Sequence, residues 1–252
     1  MNQDSFNKAR NISTYSESHL GKGRGEIYDT KLFGGEQYTN AIWELEKNIL
    51  DIILEKAKRG SYLDFACGTG RVVEYLESRF EHSYGLDVSP DMLKVAREKL
   101  KRTELIEKDI FNQGMKGLEN KFDVITAFRF FSNAENELKK QAINKIETML
   151  RSAGFLFFNI HQHVFSFNFL LEEIKRFFNK DKGLRGNWLT VFGVKNLVSE
   201  SSLKIVAVYS YAVLPRFFYK FLPLNIWFFL EKALISKRIF FGSHLIIVCQ
   251  KI

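Results

Sequence analysis

Only two cysteines stand in the sequence, Cys67 and Cys249, too few for the disulfide framework of a small secreted domain or for a Cys-rich zinc site. A reducing, cytoplasmic setting is therefore expected. Prolines number three, and there is no internal repeat and no low-complexity tract. Long apolar runs are absent too. Near the C-terminus the uncharged stretches stop at Arg216, Glu231 and Lys251, each short of the about 18 to 20 apolar residues that a helix needs to cross a bilayer. The polar start MNQDSFNKAR does not read as a targeting signal. Acidic residues are nearly missing from Ser201 to Ile252, where Glu231 faces Lys204, Arg216, Lys220, Lys232, Lys237, Arg238 and Lys251.

What is there is a globular composition. With 46% hydrophobic and 26% charged residues, the 252-residue chain can bury a sizeable core, which excludes disorder, collagen and coiled coil as the main architecture. Phenylalanine is in excess at 25, concentrated after Phe128. Residues 1–150 carry 23 basic and 24 acidic groups, so the net charge of +8 comes from the remainder of the chain. Positive charge beside large apolar side chains suits a membrane surface or an anionic substrate.

Residues 1–40 have weak periodicity and read as an irregular arm, a lid with at most one short helix. From Asn40 to Arg59, Ile42, Leu45, Ile49, Ile52 and Ile53 recur at helical spacing, and Gly60 is a stop. Strands are predicted at Tyr62–Ala66, Ser83–Val88, Glu104–Glu107, Phe122–Phe128, Gly154–Ile160, Leu203–Val213 and His244–Gln250. Helices are predicted around Val72–Phe80, Met92–Leu100 behind the Ser89-Pro90 start, Ala134–Leu150, Val164–Phe178, Lys195–Ser201 and Arg216–Leu234, with a polar loop at Asn179–Asn187. Strand and helix in alternation mean a parallel sheet covered by helices on both faces. The reading is one domain over residues 41–252 with inserts at about 162–187 and 214–242.

The chemistry is concentrated in LDFACGTGR, Leu63 to Arg71. Glycines at a strand-to-helix turn let the backbone approach a ligand, and the helix start offers free N–H groups. Asp87, at the end of the next strand, can accept hydrogen bonds from two ribose hydroxyls. Together they describe a nucleoside site. A dehydrogenase would use the same elements, but its G-x-G-x-x-G pattern fails here, because Gly68-Thr69-Gly70-Arg71-Val72-Val73 ends on valine.

These motifs resemble those of the class I S-adenosylmethionine-dependent methyltransferases. LDFACGTGR is similar to the family's first motif, with Asp64 at its acidic position, Gly68 and Gly70 at two of its three glycines and Ala66 at the remaining one. GLDVSPDML, Gly85 to Leu93, looks like the second, in which Asp87 holds the ribose while Val88 and Met92 lie near the adenine. LIEKDIF, Leu105 to Phe111, implies that Asp109 meets the adenine amino group with Ile110 beside the ring. FDVITAFRFF, Phe122 to Phe131, brings Phe128 to the same site, and LRSAGFLFFNIH, Leu150 to His161, is similar to the approach to the fifth strand. The likeness covers residues 40 to 161 well. It implies a Rossmann-like fold with a seven-stranded, mostly parallel sheet whose last strand is antiparallel, aromatic-rich inserts after strands five and six, S-adenosyl-L-methionine as cofactor and S-adenosyl-L-homocysteine as product.

Methyl transfer demands alignment of nucleophile, methyl carbon and sulfur, and for some nucleophiles a base. His161 and His163 follow the fifth strand and are the base candidates, though a histidine there also serves as a hydrogen-bonded loop residue. His19 and Tyr15 in the arm are weaker ones. Arg129, after the fourth strand, either holds a substrate carboxylate or phosphate or pairs with Glu135 or Glu137. Cys67 reads as a small packing residue, and no metal is expected. The aromatic inserts suit an apolar, aromatic, lipid or lipid-linked glycan acceptor, methylated on oxygen, nitrogen or carbon. Most insert phenylalanines are nevertheless expected in the core. The segment 215–238 reads as a peripheral contact with anionic membrane or as a buried lid helix with a solvated basic edge. RNA methylation is the main alternative reading. Against it stand the lack of an Asn-Pro-Pro-Tyr-type signature, of a suitably placed catalytic cysteine and of an RNA-binding module. A non-catalytic cofactor-binding protein is the other.

Overall fold

The computed structural model describes Gly25 and residues 37–161, 166–179, 189–235 and 241–252. The first helix whose bounds are described, α1 (Gln37–Leu54), begins inside the segment read as an arm and buries Ile42, Leu45, Ile49, Leu50 and Ile53 on one stripe. Glu46 sits on the same buried stripe. Then β1 (Ser61–Phe65), α2 (Arg71–Leu76), β2 (His82–Asp87), α3 (Pro90–Lys99), β3 (Thr103–Glu107) and β4 (Phe122–Thr126) alternate as the sequence predicts, with a short α4 (Ile110–Gln113) between β3 and β4 that the sequence does not predict. Ser89 caps α3, its hydroxyl accepting the Met92 N–H at 3.4 Å, with Pro90 at the first helical position. The chain continues through α5 (Phe130–Asn133), α6 (Asn136–Met149), β5 (Leu150–His161), α7 (Phe167–Asn179), α8 (Val191–Val198), β6 (Leu203–Tyr211), α9 (Phe218–Phe221), α10 (Leu224–Leu234) and β7 (His244–Lys251).

The seven strands form one sheet in the order β3-β2-β1-β4-β5-β7-β6, parallel except that β7 runs antiparallel to both β5 and β6. This is the Rossmann-like sheet that the motif resemblance implies. All five residues of β1 and of β4 are buried, because helices cover both faces. Successive residues feed opposite cores: Leu63, Ile125, Phe158 and Ile247 pack under α6 and α8, while Tyr62, Val124, Phe157 and Ile246 pack under α1 and α2. Strand order reverses between β1 and β4, so the crevice beyond their carboxyl ends is where a sheet of this kind opens to a ligand.

Two readings need correction. β5 begins at Leu150, not Gly154, because Leu150 already pairs with Phe122 across a register shift. α8 begins at Val191, not Lys195, since the Thr190 hydroxyl accepts the Gly193 N–H at 2.9 Å and caps it earlier. A third correction concerns the aromatic insert. Pro223 divides it into α9 and α10, and only Trp227 and Glu231 of α10 are buried. Phe217, Phe218, Phe221, Phe229 and Phe241 are exposed rather than in the core, while Trp227 is buried and Tyr219, Leu222, Phe228 and Ile235 pack partly buried against the core. Trp227 meets Tyr38 and Tyr219 edge to face, and the Glu231 carboxylate accepts the N–H groups of Val213 and Leu214, both at 2.9 Å. Of the polar loop read at Asn179–Asn187 only Asn179 is described, as the last residue of α7; residues 162–165 and 180–188 lie outside the described residues.

Candidate functional site

A five-residue strand running into a helix leaves little room to turn, and the chain does so with three residues in the left-handed region. Ala66 has φ 55°, Gly68 φ 55° and Gly70 φ 82°. A Cβ on Gly68 would meet nothing within 4 Å, so that side of the loop is open to a ligand. One on Gly70 would lie 3.2 Å from both Ala96 and Leu100. Gly70 therefore seats α2 on α3 and is not in the cleft wall, unlike the role the motif suggests for it.

Asp87, at the end of β2, clamps this loop. Its Oδ2 accepts the Gly68 N–H at 2.8 Å and its Oδ1 the Ser89 N–H at 2.9 Å. One strand away Asp64 is fully buried and accepts the Thr126 hydroxyl at 2.6 Å, and Thr126 in turn accepts the Tyr62 hydroxyl at 2.7 Å. Burial raises the Asp64 carboxyl to about 7; the Thr126 bond opposes the rise and the Asp87 charge adds to it. Asp109 caps α4, accepting the N–H groups of Phe111 at 3.0 Å and Asn112 at 3.3 Å.

These groups wall a cleft of about 990 Å³, open mouth included. Asp64, Ala66, Gly68, Asp87, Val88, Met92, Asp109, Ile110 and Phe128, nine of the ten residues singled out in the sequence, line it, together with Arg71, Lys108, Phe111 and Arg129. Gly25 of the arm packs against α3: a Cβ on it would fall 2.6 Å from the Asp91 carbonyl oxygen.

A second cavity of about 1400 Å³, mouth included, shares Arg129 with the first. Arg129 adopts φ 64°, an uncommon conformation for a side-chain-bearing residue. Its backbone N–H donates to Asn159 Oδ1 at 2.7 Å, and the Asn159 amide donates to Glu46 Oε1 at 2.8 Å. The Tyr211 hydroxyl donates to the same oxygen at 2.7 Å, while Arg71 lies 3.6 Å from Glu46 Oε2. His161 and His244 are cross-strand partners on β5 and β7, with ring centroids 4.7 Å apart, and both line this cavity. Burial lowers His161 well below the usual imidazole range, reinforced by His244, Arg129 and Arg71. Burial likewise lowers His244 to about 4, against the pull of Glu46. Both rings are neutral near pH 7.

His163, His19 and Tyr15 lie outside the described residues. Cys67 is buried and burial raises its thiol well above the ordinary value, as suits a packing residue. Among the described residues no group of three His, Cys, Asp or Glu side chains could hold a metal ion. The sequence reading missed Glu46, Asn159, Tyr211 and His244. Glu46 left one signal, an acid on the apolar face of a helix; Asn159 left another, an amide inside the run FLFFNIH.

Comparison with known proteins agrees with this geometry. Residues 63–154 match the family model of a methyltransferase domain. An uncharacterized methyltransferase of Anoxybacillus flavithermus is 27% identical over 133 residues, 53% of this chain and 61% of that protein. The demethylmenaquinone methyltransferase of Thermotoga maritima is 35% identical over 99 residues, 37% of this chain and 42% of that protein. The chain thus spans less than two thirds of the length of these relatives. A solved S-adenosylmethionine-dependent methyltransferase of Thermotoga maritima superposes with a TM-score of 0.62 at 15% identity, over 90% of this chain and 99% of that one, which is a likeness of fold.

Proposed function

We propose that this chain, whose residues 63–154 match the model of a methyltransferase domain, is a class I S-adenosylmethionine-dependent enzyme that moves a methyl group from S-adenosyl-L-methionine to an oxygen, nitrogen or carbon of a small acceptor with an apolar or aromatic body. The observation that carries this is the pair of adjoining cavities: a nucleoside-type cleft around Asp87 and Gly68, and a larger cavity that meets it at Arg129.

The residues of the cleft fit that cofactor. Gly68 leaves open space at the loop, Asp87 presents its carboxylate to the cleft where ribose hydroxyls would lie, and Met92, Ile110 and Phe128 offer apolar faces for a base, with Asp109 at its edge. Bound there, the cofactor supplies a methyl group on a positively charged sulfur. Asp64 is poised to be ionised when a cation arrives beside it, since its carboxyl titrates near neutrality. Phe65 and Phe130, in edge contact at 5.1 Å, close the floor of the cleft against water. Arg129, held by Asn159, stands where the two cavities meet and orients the acceptor. His161 presents a neutral imidazole that accepts or passes a proton when the acceptor atom carries one.

The acceptor enters past the aromatic insert. Phe221 and Phe229 are 79% and 72% exposed, beside Lys220 and Lys232, while the acid of this segment, Glu231, is buried and bonded to backbone. An apolar, basic face of this kind lies on an anionic membrane surface, and residues 215–238 are that contact. No described helix is long and apolar enough to cross a membrane.

Calorimetric titration with S-adenosyl-L-methionine, S-adenosyl-L-homocysteine and NAD tests the assignment. Binding of the first two and not the third is expected; binding of NAD alone overturns it.

A further inference from the structure

The second cavity is uneven in charge. Its described walls include two arginines, Arg129 and Arg216, and two histidines, His161 and His244, and not one carboxylate. Ile42, Phe169, Leu171 and Phe217 make the rest of the wall largely apolar, and Arg216 and Phe217 carry it out to the aromatic insert. Glu46 is not part of the described wall and is engaged by Asn159, Tyr211 and Arg71. Within this setting His161 Nε2 is buried with no hydrogen-bond partner, a polar atom that a native fold rarely leaves unmet.

We propose that this cavity is an anion-recognising acceptor site: it selects an apolar or aromatic carboxylic acid, whose carboxylate is held at the inner end by Arg129 and His161 and whose body lies along Ile42, Phe169, Leu171 and Phe217. The inference rests on the methyl-transfer reading for the word acceptor, and on the cavity alone for the chemistry of the ligand. A planar guanidinium matches a carboxylate in shape and charge, and a neutral imidazole N–H adds a second donor without a second charge to desolvate. Tyr38, Ser166, Asn168 and Ser243 supply polar edges but no negative charge to compete. Arg129 is fixed for the task by the 2.7 Å bond from its own N–H to Asn159, so the side chain starts from a set backbone.

The test is a calorimetric comparison of 6-phenylhexanoate with 6-phenylhexan-1-ol, on the full chain, with and without saturating S-adenosyl-L-homocysteine. The acid should bind about tenfold or more tightly than the alcohol, the difference that one charge-assisted pair makes. In Arg129→Gln the preference should fall to about threefold or less, with alcohol affinity unchanged. Equal binding of acid and alcohol by the unaltered chain overturns the proposal, whatever the variant does. So does an Arg129→Gln chain that keeps the full preference. Failure of S-adenosyl-L-homocysteine to bind would instead remove the methyl-transfer reading and leave the acid-over-alcohol comparison standing.

Discussion

Glu46 and Tyr211 stand 165 positions apart, yet the tyrosine hydroxyl donates to the glutamate Oε1 at 2.7 Å in a fully buried pair. The same oxygen receives the Asn159 amide, and Asn159 in turn holds the backbone of Arg129. One side chain on α1 thereby sets the geometry of the junction between the two cavities. Removing it strands several buried polar groups at once. Glu46→Ala should lower stability by about 3 kcal/mol, and Glu46→Gln, which keeps an acceptor, by clearly less. Chemical denaturation of the two variants measures this, and equal losses would remove the network from the account.

Asp87 binds the loop through the Gly68 and Ser89 N–H groups and is the residue proposed to hold the ribose. Asp87→Ala should weaken S-adenosyl-L-homocysteine binding by about 1 to 3 kcal/mol, or roughly ten- to a hundredfold, through lost ribose bonds and a loosened Gly68. Unchanged calorimetric affinity would count against the site.

Two buried groups give opposite pH dependences. His244 titrates at about 4 in the fold, below the ordinary imidazole value, so between about 4 and 6.5 the unfolded chain binds a proton that the folded chain refuses. Its stability contribution is lost as pH falls through that window. Asp64 titrates at about 7, above the ordinary carboxyl value, so between about 4 and 7 the folded chain keeps a proton that the unfolded chain has given up. Its contribution is lost as pH rises. Asp64→Asn should therefore gain stability relative to the parent as pH goes from 4 to 7, by an amount on the order of 2 to 4 kcal/mol, and level off above. Thermal melts at half-unit intervals would show it; a difference flat in pH would contradict the buried, neutral Asp64.

Ala66 occupies a left-handed conformation that glycine adopts without strain. Ala66→Gly should raise the unfolding free energy by about 0.5 kcal/mol, the relief of strain being partly offset by the looser unfolded chain. A loss of stability on urea titration would show that the Ala66 methyl packs usefully.

Phe221→Ser together with Phe229→Ser changes two exposed side chains, and stability should stay within about 0.5 kcal/mol of the parent. Sedimentation with anionic vesicles at low salt should nevertheless drop several-fold. Equal co-sedimentation of parent and variant would remove the membrane contact.

The sequence by itself determined the sheet and the cleft, because both are built from local signals. The apolar runs of β1 and β4, the Ser89-Pro90 start of α3 and the left-handed loop after β1 each announce themselves within a few residues, and Asp64, Asp87 and Asp109 follow at strand ends. Tertiary structure alone decided the second cavity. Glu46, Arg129, Asn159, Tyr211 and His244 lie on five separate elements, and nothing in their spacing reveals that strand pairing aligns His161 with His244 or that α1 crosses both. It also decided the fate of the phenylalanines. A helix with one buried row and a helix in a core share one apolar composition, and only the docking of α10 through Trp227 and Glu231 leaves Phe221 and Phe229 facing outward.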